Sequence, residues 1–146
     1  MRATYRVLAL LIAVGVVLQA AFIAAAWFQV LNDTDSGAVF DKNSANWAHT
    51  AHSVVGSGVI PLLAIALLIL SFFARVPGGV KWAAITFGVV VLQFGLAAVA
   101  YSVPVIGALH GINAFALAGV ASIAARKARL AETPGPIETR APVTTA

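Results

Sequence analysis

The sequence predicts an all-α integral membrane protein, a four-helix bundle built from two tandem helix hairpins. Three observations predict it. Of the 146 residues, 61% are hydrophobic and only 10% are charged, a balance that ordinary soluble domains do not carry. The apolar residues arrive in four long blocks, each able to cross a hydrocarbon core of about 30 Å. Finally, Val16-Val17-Leu18-Gln19 returns as Val90-Val91-Leu92-Gln93, with Ala24, Ala26 and Trp27 opposite Ala98, Ala100 and Tyr101 at the same offset of 74.

The first helix is expected from Val7 to about Leu31, apolar except for Gln19 and Gln29. A signal peptide is the rival reading, since Ala24-Ala25-Ala26 offers small residues for cleavage. The apolar run is too long for a usual h-region, and cleavage would remove one member of the repeat. From Asn32 to Trp47 the chain is polar and rich in turn formers, a solvated loop closed by an interfacial tryptophan. The second helix, about 48–73, contains Pro61, which removes a backbone donor and frees the carbonyl of Ser57. Arg75-Val76-Pro77-Gly78-Gly79-Val80-Lys81 is a tight basic turn. The third helix, about 82–103, ends at Pro104, and the fourth, about 105–125, stops at Arg126-Lys127. These make one transmembrane domain over 1–130. Residues 131–146 contain Pro134, Gly135, Pro136 and Pro142 and read as a disordered cytoplasmic tail with nothing to bury.

Charge sets the expected orientation. Arg2, Arg6, Arg75, Lys81, Arg126, Lys127, Arg129 and Arg140 fall on one side of the four spans, and only Lys42 on the other. By the positive-inside rule the protein is multi-pass in the cell membrane, with both termini cytoplasmic. The net charge of +4 is therefore a topology signal and not a nucleic-acid patch. The absence of cysteine excludes disulfides, thiolate metal sites and iron–sulfur clusters. No serine–histidine–acid set and no carboxylate lies within the spans, which disfavours hydrolysis and ion transport.

With two spans per repeat, the hairpins share one orientation, and a pseudo-twofold along the membrane normal should relate them. His52 and His110 each lie about one turn into their helix and thus at similar depth. One turn deeper on each face stands a small residue, Gly56 and Ala114. Gly111, Gly107 and Gly58 thin the surroundings further. Paired imidazoles with room for a flat macrocycle suit a bis-histidine b-type haem near the outer face, in a protein that passes electrons. Two other readings stay open. The histidines can serve as structural hydrogen-bonding groups in a cofactor-free scaffold or accessory subunit. Alternatively, His49, three residues before His52, can join His52 and His110 in a three-nitrogen metal site. Gln19 and Gln93 read as an interhelical hydrogen bond holding the hairpins together, and Lys42 as a possible contact for haem propionates. Asn113, Ser57, Tyr101 and Ser102 are polar candidates around the pocket. Expected partners are the lipid bilayer and a membrane redox partner or larger membrane complex, with self-association a further expectation.

His52-x-x-x-Gly56, the mid-helix Val-Leu-Gln of helix three, and Leu109-His110-Gly111-Ile112-Asn113-Ala114 resemble a family of small uncharacterised four-helix bacterial membrane proteins. That architecture is in turn similar to one four-helix half of haem A synthase, over roughly residues 5–128. The resemblance implies haem-ligating histidines on the second and fourth helices, matching His52 and His110. It departs at the glutamate and arginine that flank the first histidine of the enzyme, where this chain has His49 and Ser53. The cysteine pair of the outer loop is also missing, as is a second four-helix half. The fold is what the resemblance implies, without the oxygenation chemistry.

A phosphatase reporter inserted in the 36–46 loop is expected to be active, and one at the C-terminus silent. The reverse pattern would overturn the orientation.

Overall fold

The computed structural model describes residues 1–41 and 44–133. These form helices α1 (Arg2–Asp35), α2 (Trp47–Val54), α3 (Ile60–Ser71), α4 (Gly79–Ala100) and α5 (Ile106–Glu132), with a π-helical turn, Val55–Val59, joining α2 to α3. No strand occurs among the described residues. Counting Trp47–Ser71 as one helix, four helices are long and apolar enough to cross a membrane. α1 packs on α2, α3 and α5, and α4 packs on α3 and α5. The bundle is thus a closed ring of four, with α1 opposite α4 and α3 opposite α5.

The helix ends differ from the apolar blocks because polar side chains prolong the ladder beyond them. α1 runs on to Asp35: the Thr34 hydroxyl donates to the Val30 and Leu31 carbonyls, and the Ser36 hydroxyl to the Asn32 carbonyl. α5 continues to Glu132, where Arg6 Nη1 meets the Glu132 carboxylate at 2.9 Å and Arg2 Nη1 donates to the Ala131 carbonyl at 2.6 Å. Of the expected tail, residues 134–146 lie outside the described residues, as does Lys42. α4 starts three residues earlier than its apolar run suggests. Gly78 takes a left-handed φ of 71° to turn the chain, and a Cβ on Gly79 would come within 3.0 Å of the Val76 Cβ. The Gly78-Gly79 pair is what this turn requires.

The core is narrow and made largely of small residues. Ala9, Ala64, Ala83, Ala121, Ala124 and Ala128 are buried, so backbones approach closely, as expected where lipid removes the hydrophobic drive between helices. Large apolar side chains face outward instead, Phe28 at 73% and Phe115 at 78% exposure among them.

The buried positions carry the repeat. Tyr5, Ala9, Ile12 and Val16 of α1 are buried, and so are Gly79, Ala83, Thr86 and Val90 of α4, each 74 residues on. In the other helices, buried Ile60, Ala64, Leu67 and Ser71 precede buried Leu117, Ala121, Ala124 and Ala128 by a constant 57 residues. The histidines are 58 apart, so one extra residue separates His52 from Ile60. The π turn lies in that interval, and an i→i+5 turn takes up an inserted residue while keeping the flanking faces aligned. The Ile60 N–H accordingly bonds the Val55 carbonyl. Pro61, with no N–H to donate, cannot restore the tighter ladder there.

The buried Tyr5 hydroxyl donates to the Gly79 carbonyl at 2.8 Å and ties the two hairpin starts together. Tyr5→Phe is expected to lower the unfolding free energy in detergent by about 1 kcal/mol. Tyr5→Ala should cost several times more through the cavity it leaves. Equal stabilities of the three proteins would show that this contact does not hold the hairpins.

Candidate functional site

His52 and His110 come together. They sit on opposite helices of the ring, and their ring centroids are 6.4 Å apart with planes inclined at 60°. Each ring is anchored within its own hairpin: His52 Nδ1 lies 3.1 Å from the Gln19 backbone carbonyl, and His110 Nδ1 lies 3.2 Å from that of Gln93. A carbonyl oxygen can only accept, so both rings carry their proton on Nδ1 and leave a lone pair on Nε2. A backbone carbonyl that accepts from Nδ1–H commonly orients a metal-ligating histidine.

Local sequence places the first ring. Asn46 caps α2, its Oδ1 accepting the Ala48 and His49 N–H groups at 3.1 Å, while its Nδ2 donates to the Ala26 carbonyl at 2.9 Å. One asparagine thereby starts the helix and pins it to α1. The cap signature, Asn before an apolar run, is present in the sequence; the tie to α1 is not.

The second ring belongs to a closed network. Asn113, 9% exposed, donates through Nδ2 to the Val89 carbonyl at 3.1 Å and to Gln93 Oε1 at 2.6 Å. Gln93 Nε2 in turn donates to the His110 carbonyl at 3.0 Å and faces His110 Nε2 at 3.1 Å. Since Asn113 occupies the amide oxygen, the amino group must be the one facing the imidazole, and His110 Nε2 accepts from it.

The first hairpin has the same parts without the closure. Three residues after His52 stands Val55 where His110 has Asn113. Gln19 is 8% exposed, and neither atom of its side-chain amide has a partner. Its Oε1 lies 3.0 Å from where a Cβ on Gly56 would stand. His52 Nε2 carries no hydrogen bond among the described residues.

The remaining candidates fall as follows. Gly56 and Ala114 both face inward, Gly56 toward Gln19 and Ala114 against the core. Gly111 does not line the pair: it is exposed, with open space where its Cβ would be. A one-residue step rotates it about 100° from His110 around the helix. His49 is drawn away as well, its ring 5.6 Å from Trp27 and 6.0 Å from Phe40. Among the described residues no three His, Cys, Asp or Glu side chains gather to hold a metal ion, so the three-nitrogen site does not form. The two glutamines do not bond each other: the Gln93 amide is held by His110 and Asn113, and the Gln19 amide has no partner. Ser57 donates to the Ser53 carbonyl at 2.7 Å, and Tyr101 and Ser102 are exposed.

On the loop side the bundle is loosely closed. α2 and the π turn pack on α1 without comparable contact to α4, and both histidines stay partly accessible.

A model described as a family of unknown function (DUF6220) matches residues 36–100. The chain is similar to that family over this stretch. The match contains His52, Gly56 and Gln93 and ends before His110 and Asn113. No curated protein and no solved structure matches the chain.

Gly56→Ala is expected to cost about 1 kcal/mol despite the better helix propensity of alanine, because the new Cβ crowds the Gln19 amide. In a Gln19→Ala background the same change should be neutral or stabilising. A double-mutant cycle reads the coupling, and a coupling of zero would show that Gly56 makes no room for Gln19.

Proposed function

We propose that the protein is a small membrane haem-binding protein whose iron is held between His52 and His110, with electron transfer as its role. The carrying observation is the facing pair of Nδ1-anchored imidazoles. With ring centroids 6.4 Å apart, the two imidazoles are near enough for both to hold one group bound between them. Both lone pairs lie on Nε2, as ligation requires. The unpartnered Gln19 amide beside Gly56 adds support, since a buried amide without partners costs on the order of 1–3 kcal/mol unless something bound completes it. When bound, haem b supplies one-electron redox chemistry. His52 and His110 would hold it, the Gln19 and Gln93 carbonyls would orient them, and the inward-facing small residues Gly56 and Ala114 would leave room at the ring faces.

The recurrence of buried residues at constant offsets supports two hairpins related by a pseudo-twofold along the membrane normal. That relation would put the histidines at equal depth on opposite sides of one axis. The resemblance to one four-helix half of haem A synthase would rest instead on the four helices with histidines on the second and the fourth. The distribution of basic residues favours cytoplasmic termini, and with that orientation the pair would lie in the outer part of the membrane.

Protein expressed with haem supplied and purified in mild detergent should show a Soret band and, on dithionite reduction, sharp α and β bands. His52→Ala and His110→Ala should each abolish the sharp bands. A featureless spectrum from folded, haem-supplied protein would overturn this reading and leave the cofactor-free scaffold in its place.

A further inference from the structure

The two histidines are not equivalent, and the difference traces to one residue. Both have Nδ1 bound to a glutamine carbonyl of the same hairpin. Only His110 has its Nε2 lone pair occupied as well, by the Gln93 amide at 3.1 Å. That amide cannot simply turn away. Its oxygen is held by Asn113 at 2.6 Å, and its nitrogen also donates to the His110 carbonyl at 3.0 Å. Asn113 is itself fixed to the Val89 carbonyl and buried. In the first hairpin the position of Asn113 is taken by Val55, the Gln19 amide has no partner, and His52 Nε2 is left open. The molecule contains its own control: with asparagine three residues after the histidine the lone pair is occupied, and with valine it is not.

We infer that Asn113, acting through the Gln93 amide, is a positioning residue that makes His110 a displaceable ligand, whereas His52 is the permanent one. This rests on the haem reading above. His110 can bind iron only by giving up its hydrogen bond to Gln93, and Gln93 can release it only by leaving the shell that Asn113 organises. The competing hydrogen bond favours the unligated ring. The position facing His110 is therefore open to exchange with a small external ligand such as carbon monoxide, while the position facing His52 is not.

The test is a carbon monoxide titration of dithionite-reduced, haem-loaded protein, comparing wild type with Asn113→Val and with Gln93→Leu. Wild type should bind carbon monoxide. Freeing the lone pair removes one neutral hydrogen bond of competition, so His110 should hold the position more firmly. Carbon monoxide affinity should then fall by roughly 3- to 10-fold in each variant. His110→Ala, with no competing ligand, should bind carbon monoxide more tightly than wild type. A residue that merely supported the fold would lower haem retention without this ordered change in affinity. If wild type shows a Soret band but binds no carbon monoxide, or if the variants bind it as wild type does, the inference is overturned and the haem reading stands. If wild type shows no Soret band, both fall. Gln93→Leu keeps the test decisive should Asn113→Val fail to fold.

Discussion

An imidazole N–H inside an apolar bundle needs an acceptor, and a helix carbonyl that already accepts its ladder bond keeps a second lone pair to offer. In this protein they satisfy each other twice, His52 with the Gln19 carbonyl and His110 with the Gln93 carbonyl. Much else follows from these two contacts. They set the tautomer of both rings, place both lone pairs on Nε2, and lock the rotation of α1 against α2 and of α4 against α5. The rings then meet across the bundle because the helices bearing them are opposite members of the ring of four.

The closeness that this needs comes from small residues. Alanines at the helix contacts let the backbones approach, so side chains as short as histidine can reach a neighbouring carbonyl. The π turn solves a second geometric problem. Without an inserted residue taken up between His52 and Ile60, either the histidine or the Ile60–Ser71 face would rotate by about 100° out of the core. Pro61 supports the looser turn by withholding a donor, and Gly56, within the turn, leaves space for the Gln19 amide. A local irregularity in one helix thus preserves the match between two histidine-bearing helices that differ by one residue between the histidine and the buried face.

Corresponding positions of the two hairpins are filled differently around the histidines. Gln93, His110 and Asn113 form a network in which both Gln93 amide atoms, both His110 ring nitrogens and the Asn113 amino group have partners, and such networks hold one arrangement firmly. Gln19, His52 and Val55 leave an amide and a ring nitrogen without one. The first hairpin thus leaves polar atoms unpartnered where the second pairs them. The exposed aromatic and aliphatic side chains on the outside are lipid-facing surface and take no part in this.

Sequence alone determined the helical class, the four membrane-length segments, the repeat and the pairing of His52 with His110, because apolar runs and equal spacings are local properties of the chain. The sequence put Gly56 and Ala114 one turn beyond the histidines, but that they face inward is a finding of the structure. Tertiary structure decided the rest. His49 goes to Trp27 and Phe40 because the Asn46 cap fixes where α2 begins, and Gly111 turns to the surface because one residue is a large rotation. In helices that are apolar on all sides, periodicity does not say which face is buried, so the glutamines read as partners of one another. Only the order of packing around the ring puts them opposite, and only there does a single asparagine, unremarkable in the sequence, decide which histidine keeps its lone pair free.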